Sequence, residues 1–397
     1  MTKKILIMTQ NFYPVIGSAG NRMKNTYKLL NEHHIQADVL TTEPAYPNKN
    51  LYHDSAFWDD ASLNSTKKIM RVPIRSKKFT NQIFNRLLFY VEIMYRFFKK
   101  LWKLRKEGYD YILVSTPPIF IVFSVFLAKP FMRTKLILEV RDLWPDSLIG
   151  VKKFDNRFII KLFRFLERRM YAMADHIIIN SKGFNDHITT RLKKKKPNII
   201  YLPNGPRDYE VVKTKSPITE FRVVYTGNIG LAQDVERLKK MAYLLSKEGI
   251  RLDVIGYGMK TEEFANYIQN ENLENVHLSH PTTRKKSLEL IEHSNLAIAF
   301  LNNDDVFHTV LPGKIIDYMA CQTPVIAGIQ GTAAKVITEN RAGYVFTYKD
   351  VHKMVDKIVE LKANPKELDV LRANCLKTIE KEFLWETNIE RLVQLLS

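Results

Sequence analysis

The sequence of 397 residues exceeds the usual size of one hydrophobic core and predicts two domains of about 200 residues each. Apolar residues make up 45% of the chain, as in packed globular proteins, and the two cysteines, Cys321 and Cys375, exclude a disulfide framework and predict reduced thiols in a cytosolic protein. Residues 1–204 carry 36 Lys and Arg against 16 Asp and Glu, whereas residues 205–397 carry 25 against 26, so the net charge of +19 lies in the first half.

This positive charge indicates an anionic partner. An anionic membrane surface, a lipid pyrophosphate and a nucleic acid would each satisfy it, and a basic surface without a partner remains an alternative. The longest nearly unbroken apolar segment, residues 119–128, has ten residues against the roughly 20 that a helix needs to span a bilayer, so it predicts a buried helix. The apolar run at 5–8 is too short for a signal peptide.

Short β-rich runs alternate with helical patterns along the chain. They cover residues 5–8, 37–41, 111–115, 135–140, 177–180 and 199–202, and then 221–226, 252–255, 276–278, 296–300, 324–327 and 344–346. Strands that alternate with helices predict parallel sheets covered on both faces. Two successive sets predict an α/β protein of two doubly wound, Rossmann-like domains that face a central cleft.

The predicted domain boundary lies within residues 203–219, where Pro, Gly and charged residues replace apolar periodicity. We expect one domain at 1–204, a second at 205–375 and a C-terminal segment at 376–397. A helix over residues 386–396 ends that segment.

A glycine-containing segment, Gly17-Ser18-Ala19-Gly20, follows the first strand. Glycine lets backbone N–H groups approach a phosphate without interference from side chains, so Gly17 and Gly20 are candidate phosphate ligands, with Arg22 as a second phosphate contact. The segment is not a GxGxxG motif, and an ordinary turn between strand and helix is the alternative.

Residues 83–104 carry more apolar side chains than one core-facing surface of a helix requires, because apolar stripes with helical spacing lie on both sides. The second stripe and its basic border consist of Tyr90, Ile93, Phe97 and Leu104 with Lys99, Lys100 and Lys103. A basic, aromatic-rich helix with surplus apolar surface is typical of an interfacial membrane anchor. Packing against a neighbouring helix is the alternative.

Residues 311–327, with the sequence LPGKIIDYMACQTPVIA, combine a turn, a helix and a buried strand. Pro312 and Gly313 break the chain, and the helix that follows has free N–H groups and a positive dipole end suited to a phosphate. Lys314 lies in its first turn, and Asp317 follows on the same side. This spacing predicts a cation for a diphosphate and an acceptor for ribose hydroxyls, whereas a surface Lys-Asp pair is the alternative.

The sequence offers no metal-ligand spacing. It lacks an Asp-x-Asp motif, a His-x-x-x-His motif and a Cys-x-x-Cys motif. We therefore expect protein donors, namely Lys314, helix N-termini and loop amides, to neutralise a bound diphosphate without a metal ion or other cofactor.

Residues 311–327 resemble the PSKxxEYMAxGxPVIA signature of the retaining GT-B glycosyltransferases of family four. Near the N-terminus, QNFYPVIGSAGNRMKNTYKLL (10–30) also resembles this family. Four further segments resemble its branch of bacterial fucosamine transferases: EVRDLWPDS (139–147), LERRMYAMADHIIINS (166–181), LPNG (202–205) and YTGNIGLAQDVERL (225–238). The resemblance spans nearly the whole chain. It implies the GT-B fold, with a terminal helix that crosses back to the N-terminal domain.

The resemblance also implies that Gly227, Asn228 and Gly230 lie against the donor diphosphate and sugar. The related branch often has Arg where this chain has Leu231. Lys314 is therefore the candidate phosphate cation, and Arg22 and Arg222 are the reserve candidates for the same role.

The Glu-x7-Glu pair of the family falls on Thr309 and Asp317. Asp317 can still accept hydrogen bonds from ribose hydroxyls, although it is one methylene shorter than Glu. Thr309 cannot supply a carboxylate near the transferred sugar, and His308 or Asp304 are candidates to compensate.

Arg141 and Asp142 stand where related enzymes often have a His-Asp step facing the cleft. Asp142 is a candidate to orient a sugar, and Arg141 to meet a pyrophosphate. An Arg-Asp pair that ties down the loop at Trp144 is the alternative.

These features predict a cytoplasmic, membrane-peripheral retaining glycosyltransferase. It would move a sugar, by resemblance N-acetylfucosamine from a UDP-sugar, to a polyprenyl-pyrophosphate-linked saccharide at the inner leaflet, in capsule or O-antigen synthesis. A sugar-nucleotide epimerase and a nucleic-acid-binding protein are the rival hypotheses, although the chain has no recognisable nucleic-acid-reading module.

Overall fold

The protein is described by a computed structural model that covers residues 3–76, 83–150, 156–192, 197–230, 232–347 and 350–397. The chain divides into two compact units. The first comprises Met1–Pro145, Phe154–Pro203 and Asn388–Ser397, and the second comprises Asp146–Lys153 and Asn204–Thr387. The expected C-terminal segment at 376–397 is thus divided between the units at residues 387 and 388.

The first unit contains a parallel sheet. Its strands are β1 Lys4–Met8, β2 Gln36–Thr42, β3 Ile69–Val72, β4 Tyr111–Thr116, β5 Lys135–Val140, β6 His176–Ile179 and β7 Asn198–Tyr201. They lie in the order β3-β2-β1-β4-β5-β6-β7. The sequence analysis missed β3, a half-buried edge strand of four residues. Edge strands are often short and charged, and Arg71 interrupts the apolar run of this one.

The second unit contains a second parallel sheet. Its strands are β8 Arg222–Asn228, β9 Arg251–Tyr257, β10 Val276–Ser279, β11 Leu296–Phe300, β12 Val325–Gly328 and β13 Gly343–Phe346. They lie in the order β10-β9-β8-β11-β12-β13. Both strand orders are doubly wound, so the predicted α/β class with two Rossmann-like domains is confirmed.

Helices connect the strands in both units. In chain order they are α1 Ser18–Glu32, α2 Ala61–Ser65, α3 Ile83–Leu104, α4 Ile119–Ala128, α5 Asp146–Gly150, α6 Arg157–Met173, α7 Phe184–Arg191, α8 Val235–Lys247, α9 Thr261–Asn270, α10 Arg284–Glu292, α11 Asp305–His308, α12 Gly313–Ala320, α13 Gly331–Glu339, α14 Val351–Ala363, α15 Pro365–Thr378 and α16 Trp385–Leu396. Among the described residues, no helix combines the length and the apolar composition that crossing a bilayer requires.

The C-terminal helix α16 returns to the first unit from Asn388 onward. Arg391 Nη1 donates a hydrogen bond to the Tyr201 carbonyl at 2.8 Å, and the Leu395 carbonyl accepts one from the Tyr111 hydroxyl at 3.4 Å. Ile389, Leu392 and Leu396 are fully buried. The predicted return of the terminal helix to the N-terminal domain is confirmed.

Helix α3 packs its predicted membrane stripe inward. Ile93 and Phe97 are fully buried, and Tyr90 stacks on Phe120 of α4 with the ring centroids 5.3 Å apart. Helix α4 explains this orientation, because its residues are nearly all apolar and need apolar cover on more than one side. The prediction that Ile93 and Phe97 contact lipid is therefore wrong, whereas lipid contact of Tyr90, which is half-buried, stays a prediction.

The exposed face of α3 carries Leu88, Val91 and Tyr95 instead. Lys99 and Lys103 are also exposed, whereas Lys100 is half-buried. The basic border predicted for this helix thus faces solvent in part, beside a different set of apolar side chains.

Candidate functional site

Lys314 is a lysine of the second unit with a buried ammonium group. It is the second residue of α12, and its Nζ is buried without a hydrogen-bond partner among the described residues. The Nζ lies 3.9 Å from the centroid of the Tyr225 ring, within cation-π range. Burial lowers the pKa of Lys314 to about 7, because the charged form loses its hydration. An anionic ligand would restore a partner to this ammonium group.

The backbone beside Lys314 has a glycine in a conformation that other residues rarely adopt. Gly227, near the end of β8, has a φ of +107°, and a Cβ atom there would lie 3.4 Å from Lys314 Cε. Two tyrosines hold this end of the strand. The Tyr225 hydroxyl donates to the Asn228 carbonyl at 3.0 Å, and the Tyr318 hydroxyl accepts from the Thr226 N–H at 2.8 Å.

Residues 228–230, which follow Gly227, pack against the end of β9 and the turn after it. The Ile229 N–H donates to the Tyr257 carbonyl at 2.6 Å, and the Lys260 N–H donates to the Ile229 carbonyl at 3.0 Å. The Asn228 side chain lies against Gly230 and Gly258, where a Cβ atom would overlap it. Contact of Gly230 with the donor stays a prediction, and Leu231 lies outside the described residues.

Asp317 is bound by an arginine that the sequence analysis missed. Arg284, the first residue of α10, donates from Nη2 to Asp317 Oδ1 at 3.0 Å and from Nε to Glu210 Oε1 at 2.5 Å. Burial opposes the charge of Arg284, but the two carboxylates more than offset this and raise its pKa well above the usual value. Arg284 and Glu210 are far from Asp317 in sequence, so no local spacing points to them.

The neighbourhood of Thr309 contains amide and imidazole groups, and the Asp305 carboxylate lies 3.8 Å from His308 Nδ1. Thr309 Oγ1 donates to the Val306 carbonyl at 2.6 Å at the end of α11, and His308 Nε2 lies 3.3 Å from Asn303 Oδ1. Asn303 Oδ1 also accepts from Gln330 Nε2 at 2.8 Å. Asn303 and Gln330 were not predicted from the sequence.

Two predicted phosphate cations, Arg22 and Arg222, form ion pairs with carboxylates. Arg22 in the first unit is 1% exposed, donates from Nε to Glu139 Oε1 at 2.6 Å, and donates from Nη1 to the Pro203 carbonyl at 3.0 Å. Arg222 pairs with Glu220 at 3.1 Å at the amino end of β8, away from the carboxyl end near Lys314. Each guanidinium is therefore held by a carboxylate, and the roles of Arg22 as a donor-binding residue and of Arg222 as a reserve cation stay predictions.

The glycine segment of the first unit shapes the entry to α1. Gly17 precedes the helix with a φ of +92°, which favours glycine. A Cβ atom at Gly20 would overlap the Val15 carbonyl oxygen, so Gly20 allows α1 to approach this backbone closely. Contact of either glycine with a phosphate stays a prediction.

Arg141 is fixed at the carboxyl ends of β4 and β5. Its Nε donates to Ser115 Oγ at 2.8 Å, and its Nη2 donates to the Pro117 carbonyl at 3.2 Å. Burial lowers its pKa, although Glu139, at 3.7 Å, acts in the opposite direction. The Asp142 carbonyl accepts from the Trp144 N–H, so this step also shapes the loop. The catalytic roles of Arg141 and Asp142 stay predictions.

In the described ranges, no group of three or more His, Cys, Asp or Glu side chains is arranged to hold a metal ion.

Two family models match consecutive parts of the chain. "Glycosyl transferase 4-like domain" matches residues 17–205, and "Glycosyl transferases group 1" matches residues 207–378. The chain belongs to the group 1 glycosyltransferases. It is an enzyme of the GT-B type, and its two matched domains correspond to most of the two structural units.

Two relatives and one solved structure extend this result. The glycosyltransferase is 20% identical to the putative colanic acid biosynthesis glycosyl transferase WcaI of Escherichia coli, over 96% of this chain and 97% of the relative. It is 22% identical to the chitobiosyldiphosphodolichol beta-mannosyltransferase of Debaryomyces hansenii, over 76% of this chain and 71% of the relative. Anabaena HepE, solved with UDP and glucose, superposes with a TM-score of 0.70 at 14% identity and 99% coverage of both chains.

Proposed function

We propose that this glycosyltransferase is a retaining, metal-independent enzyme that moves a sugar from a UDP-sugar to a polyprenyl-pyrophosphate-linked saccharide. The observation that carries the proposal is Lys314, a buried ammonium group without a hydrogen-bond partner among the described residues. A donor diphosphate would supply two phosphate groups as its partner. Both matched domains are glycosyltransferase domains, which favours transfer over the epimerase and nucleic-acid-binding alternatives.

The donor is proposed to bind in the second unit. Lys314 would neutralise the diphosphate, most strongly as the bond to the sugar breaks and negative charge develops on the leaving UDP. The N-terminal turn of α12 adds a positive dipole end on the same side. Asp317 would accept from ribose hydroxyls. UDP as the nucleotide is supported by the HepE complex, and N-acetylfucosamine as the sugar by the resemblance to fucosamine transferases.

The acceptor is proposed to be a saccharide on a polyprenyl pyrophosphate, assembled into capsule or O-antigen. The name of the Debaryomyces relative specifies a sugar chain on a dolichol diphosphate, and that of the Escherichia relative specifies colanic acid, a polysaccharide. The basic first half of the chain suits an anionic lipid.

A peripheral membrane contact is proposed for the first unit, but through different side chains from those predicted. Exposed apolar residues occur on α3, where Tyr95 is 59% exposed, and on α6, where Phe158 is 77% exposed. Leu162 and Phe165 continue the exposed face of α6 at helical spacing. Large exposed apolar groups beside basic residues are typical of helices that lie in the headgroup region.

Topology and charge support one continuous contact face. The steps from β3 to β4, from β4 to β5 and from β5 to β6 cross the sheet in the same direction, so right-handed connections put α3, α4 and α6 on one face. Helices α3 and α6 contain ten Lys and Arg residues against two Glu residues. Both carboxylates are paired, Glu92 with Arg96 at 2.6 Å and the buried Glu167 with Arg191 at 2.8 Å. The face is therefore suited to anionic lipid.

Isothermal titration calorimetry with UDP, GDP, ADP and UMP tests the donor assignment on the full chain. We expect UDP to bind without added metal, and Lys314→Met to weaken UDP more than UMP because the variant loses the diphosphate cation. Lys335→Met, at an exposed lysine of α13, is the matched control. Equal affinity of Lys314→Met and wild type for UDP would contradict the donor site. Release of UDP from UDP-N-acetylfucosamine only in the presence of a polyprenyl-pyrophosphate saccharide would support transfer.

A further inference from the structure

An ion-pair chain of three residues joins the candidate nucleotide site to the segment that enters the second unit. Glu210 ends a 3₁₀ turn, Arg284 begins α10, and Asp317 lies in α12. Arg284 contacts both Glu210 oxygens, at 2.5 and 3.2 Å, and Asp317 Oδ1 at 3.0 Å. One guanidinium therefore fixes the distance between two carboxylates on separate segments.

Glu210, at one end of this ion-pair chain, is itself held by other residues. Glu210 Oε2 accepts a hydrogen bond from the Arg207 N–H at 2.9 Å, and Arg207 Nε pairs with Glu386 at 2.6 Å. Glu386 also accepts from the Asp208 N–H. Because the hydrogen bond from Arg207 holds Glu210 in place, Arg284 has little freedom to move away from Asp317.

Asp317, at the other end of this ion-pair chain, can still accept a hydrogen bond. The Arg284 hydrogen bond goes to Oδ1 of Asp317, and Oδ2 forms no hydrogen bond with the part of the chain that the structure describes. The Asp317 side chain is 27% exposed, so a ligand can reach it. A carboxylate with one oxygen bound to Arg and the other available presents a defined acceptor to a hydroxyl group.

We propose that Arg284 is a positioning residue: the Glu210-Arg284-Asp317 chain holds the Asp317 carboxylate in the orientation that binds the ribose hydroxyls of the donor nucleotide. This inference rests on the proposed function, in which Asp317 meets the ribose. The short Asp side chain cannot adjust its reach as a Glu can, so its orientation depends on the groups that hold it. Arg284 would then set selectivity for the sugar of the nucleotide without touching the diphosphate.

The experiment compares affinities for UDP and 2′,3′-dideoxy-UDP by calorimetry on the full chain. Wild type is expected to prefer UDP, because only UDP offers hydroxyls to Asp317. In Arg284→Gln we expect UDP to bind about tenfold more weakly and dideoxy-UDP to bind as in wild type, a loss typical of one hydrogen bond to a charged group. Lys285→Gln, at the exposed next residue of α10, should keep the wild-type preference.

A purely structural role of Arg284 would weaken both nucleotides equally, and that result would overturn the inference. An unchanged preference for UDP in Arg284→Gln would overturn it as well. Glu210→Gln, which keeps Arg284 and Asp317 in place but loosens their support, should show the same selective loss in smaller degree, and it carries the test if Arg284→Gln does not fold. If wild-type protein does not bind UDP, the proposed function fails and this inference fails with it.

Discussion

The ammonium group of Lys314 lies against the face of the Tyr225 ring, 3.9 Å from its centroid, and in the described residues it meets no hydrogen-bond acceptor. A cation-π contact contributes about 2 kcal/mol when desolvated, less than the cost of burying an ammonium group without an acceptor. The pKa of about 7 reflects this deficit. Lys314 is therefore expected to titrate near neutral pH, and an anion should bind the protonated form.

The first prediction is that UDP affinity falls as the pH rises above about 7. Free Lys314 loses its proton through this range, whereas the bound form is held charged by the diphosphate, so binding takes up a proton. The affinity should fall by about tenfold per pH unit between roughly pH 7.5 and 9, where UDP is itself fully ionised. Calorimetry in buffers of different ionisation enthalpy measures the uptake, and Lys314→Met should abolish it. A pH-independent affinity would contradict the prediction.

The same shift has the opposite effect on the stability of the unliganded protein. The pKa of Lys314 is about 7 in the folded state, below its usual value of about 10.4 in the unfolded state, so the unfolded state binds more protons between these pH values. The free energy of unfolding should therefore gain a favourable contribution from Lys314 as the pH rises from about 7 to 10. Urea unfolding of wild type and Lys314→Met across this range should differ in slope in that direction; parallel curves would argue against the shift.

A further prediction is that Lys314→Ala lowers turnover by about two to three orders of magnitude, as loss of a charge partner in the transition state does. Activity should survive EDTA, because protein groups are expected to neutralise the leaving diphosphate. Radiolabel transfer from the UDP-sugar to lipid acceptor measures both effects, with Lys335→Ala as the control. Loss of activity in EDTA that one divalent ion restores would contradict metal independence.

Arg22→Met should destabilise the first unit without changing the UDP affinity of the folded protein. The substitution leaves Glu139 buried without its closest cation, which typically costs about 3 to 5 kcal/mol. Urea unfolding measures the loss, and Arg133→Met, at an exposed arginine of the same unit, is the control. Weaker UDP binding with unchanged stability would instead support Arg22 as a phosphate contact.

Vesicle binding should depend on α6 and not on the buried side of α3. Replacing Phe158 and Leu162 by Ser should remove the part of the binding that resists high salt, because apolar burial is not screened. Val370→Ser and Met259→Ser, at exposed apolar residues of the second unit, are the controls. Flotation with phosphatidylglycerol vesicles measures the effect, and unchanged flotation of the Phe158 and Leu162 variant would contradict the proposed face. Substitution of Ile93 and Phe97 should instead impair folding.

Most of the fold could be predicted because buried parallel strands are apolar throughout. The strand Leu296–Phe300 has the predicted bounds for this reason. The inward face of α3 could not be predicted, since apolar residues on both sides of a helix do not tell which side meets a neighbour. The pairing of Arg22 could not be predicted because its partner, Glu139, is 117 residues away. Arg284 was missed for the same reason: its role depends on a carboxylate of another segment.

Helix α16 completes a unit whose first strand begins at Lys4. During synthesis from the N-terminus, the strands of the first sheet leave the ribosome well before Ile389, Leu392 and Leu396, which are buried in the same unit. The second unit, by contrast, needs no residue beyond Thr387. A late-arriving helix leaves apolar surface open for longer and makes nascent chains prone to association. A gene fragment that stops near residue 204 would encode the first unit permanently without this helix.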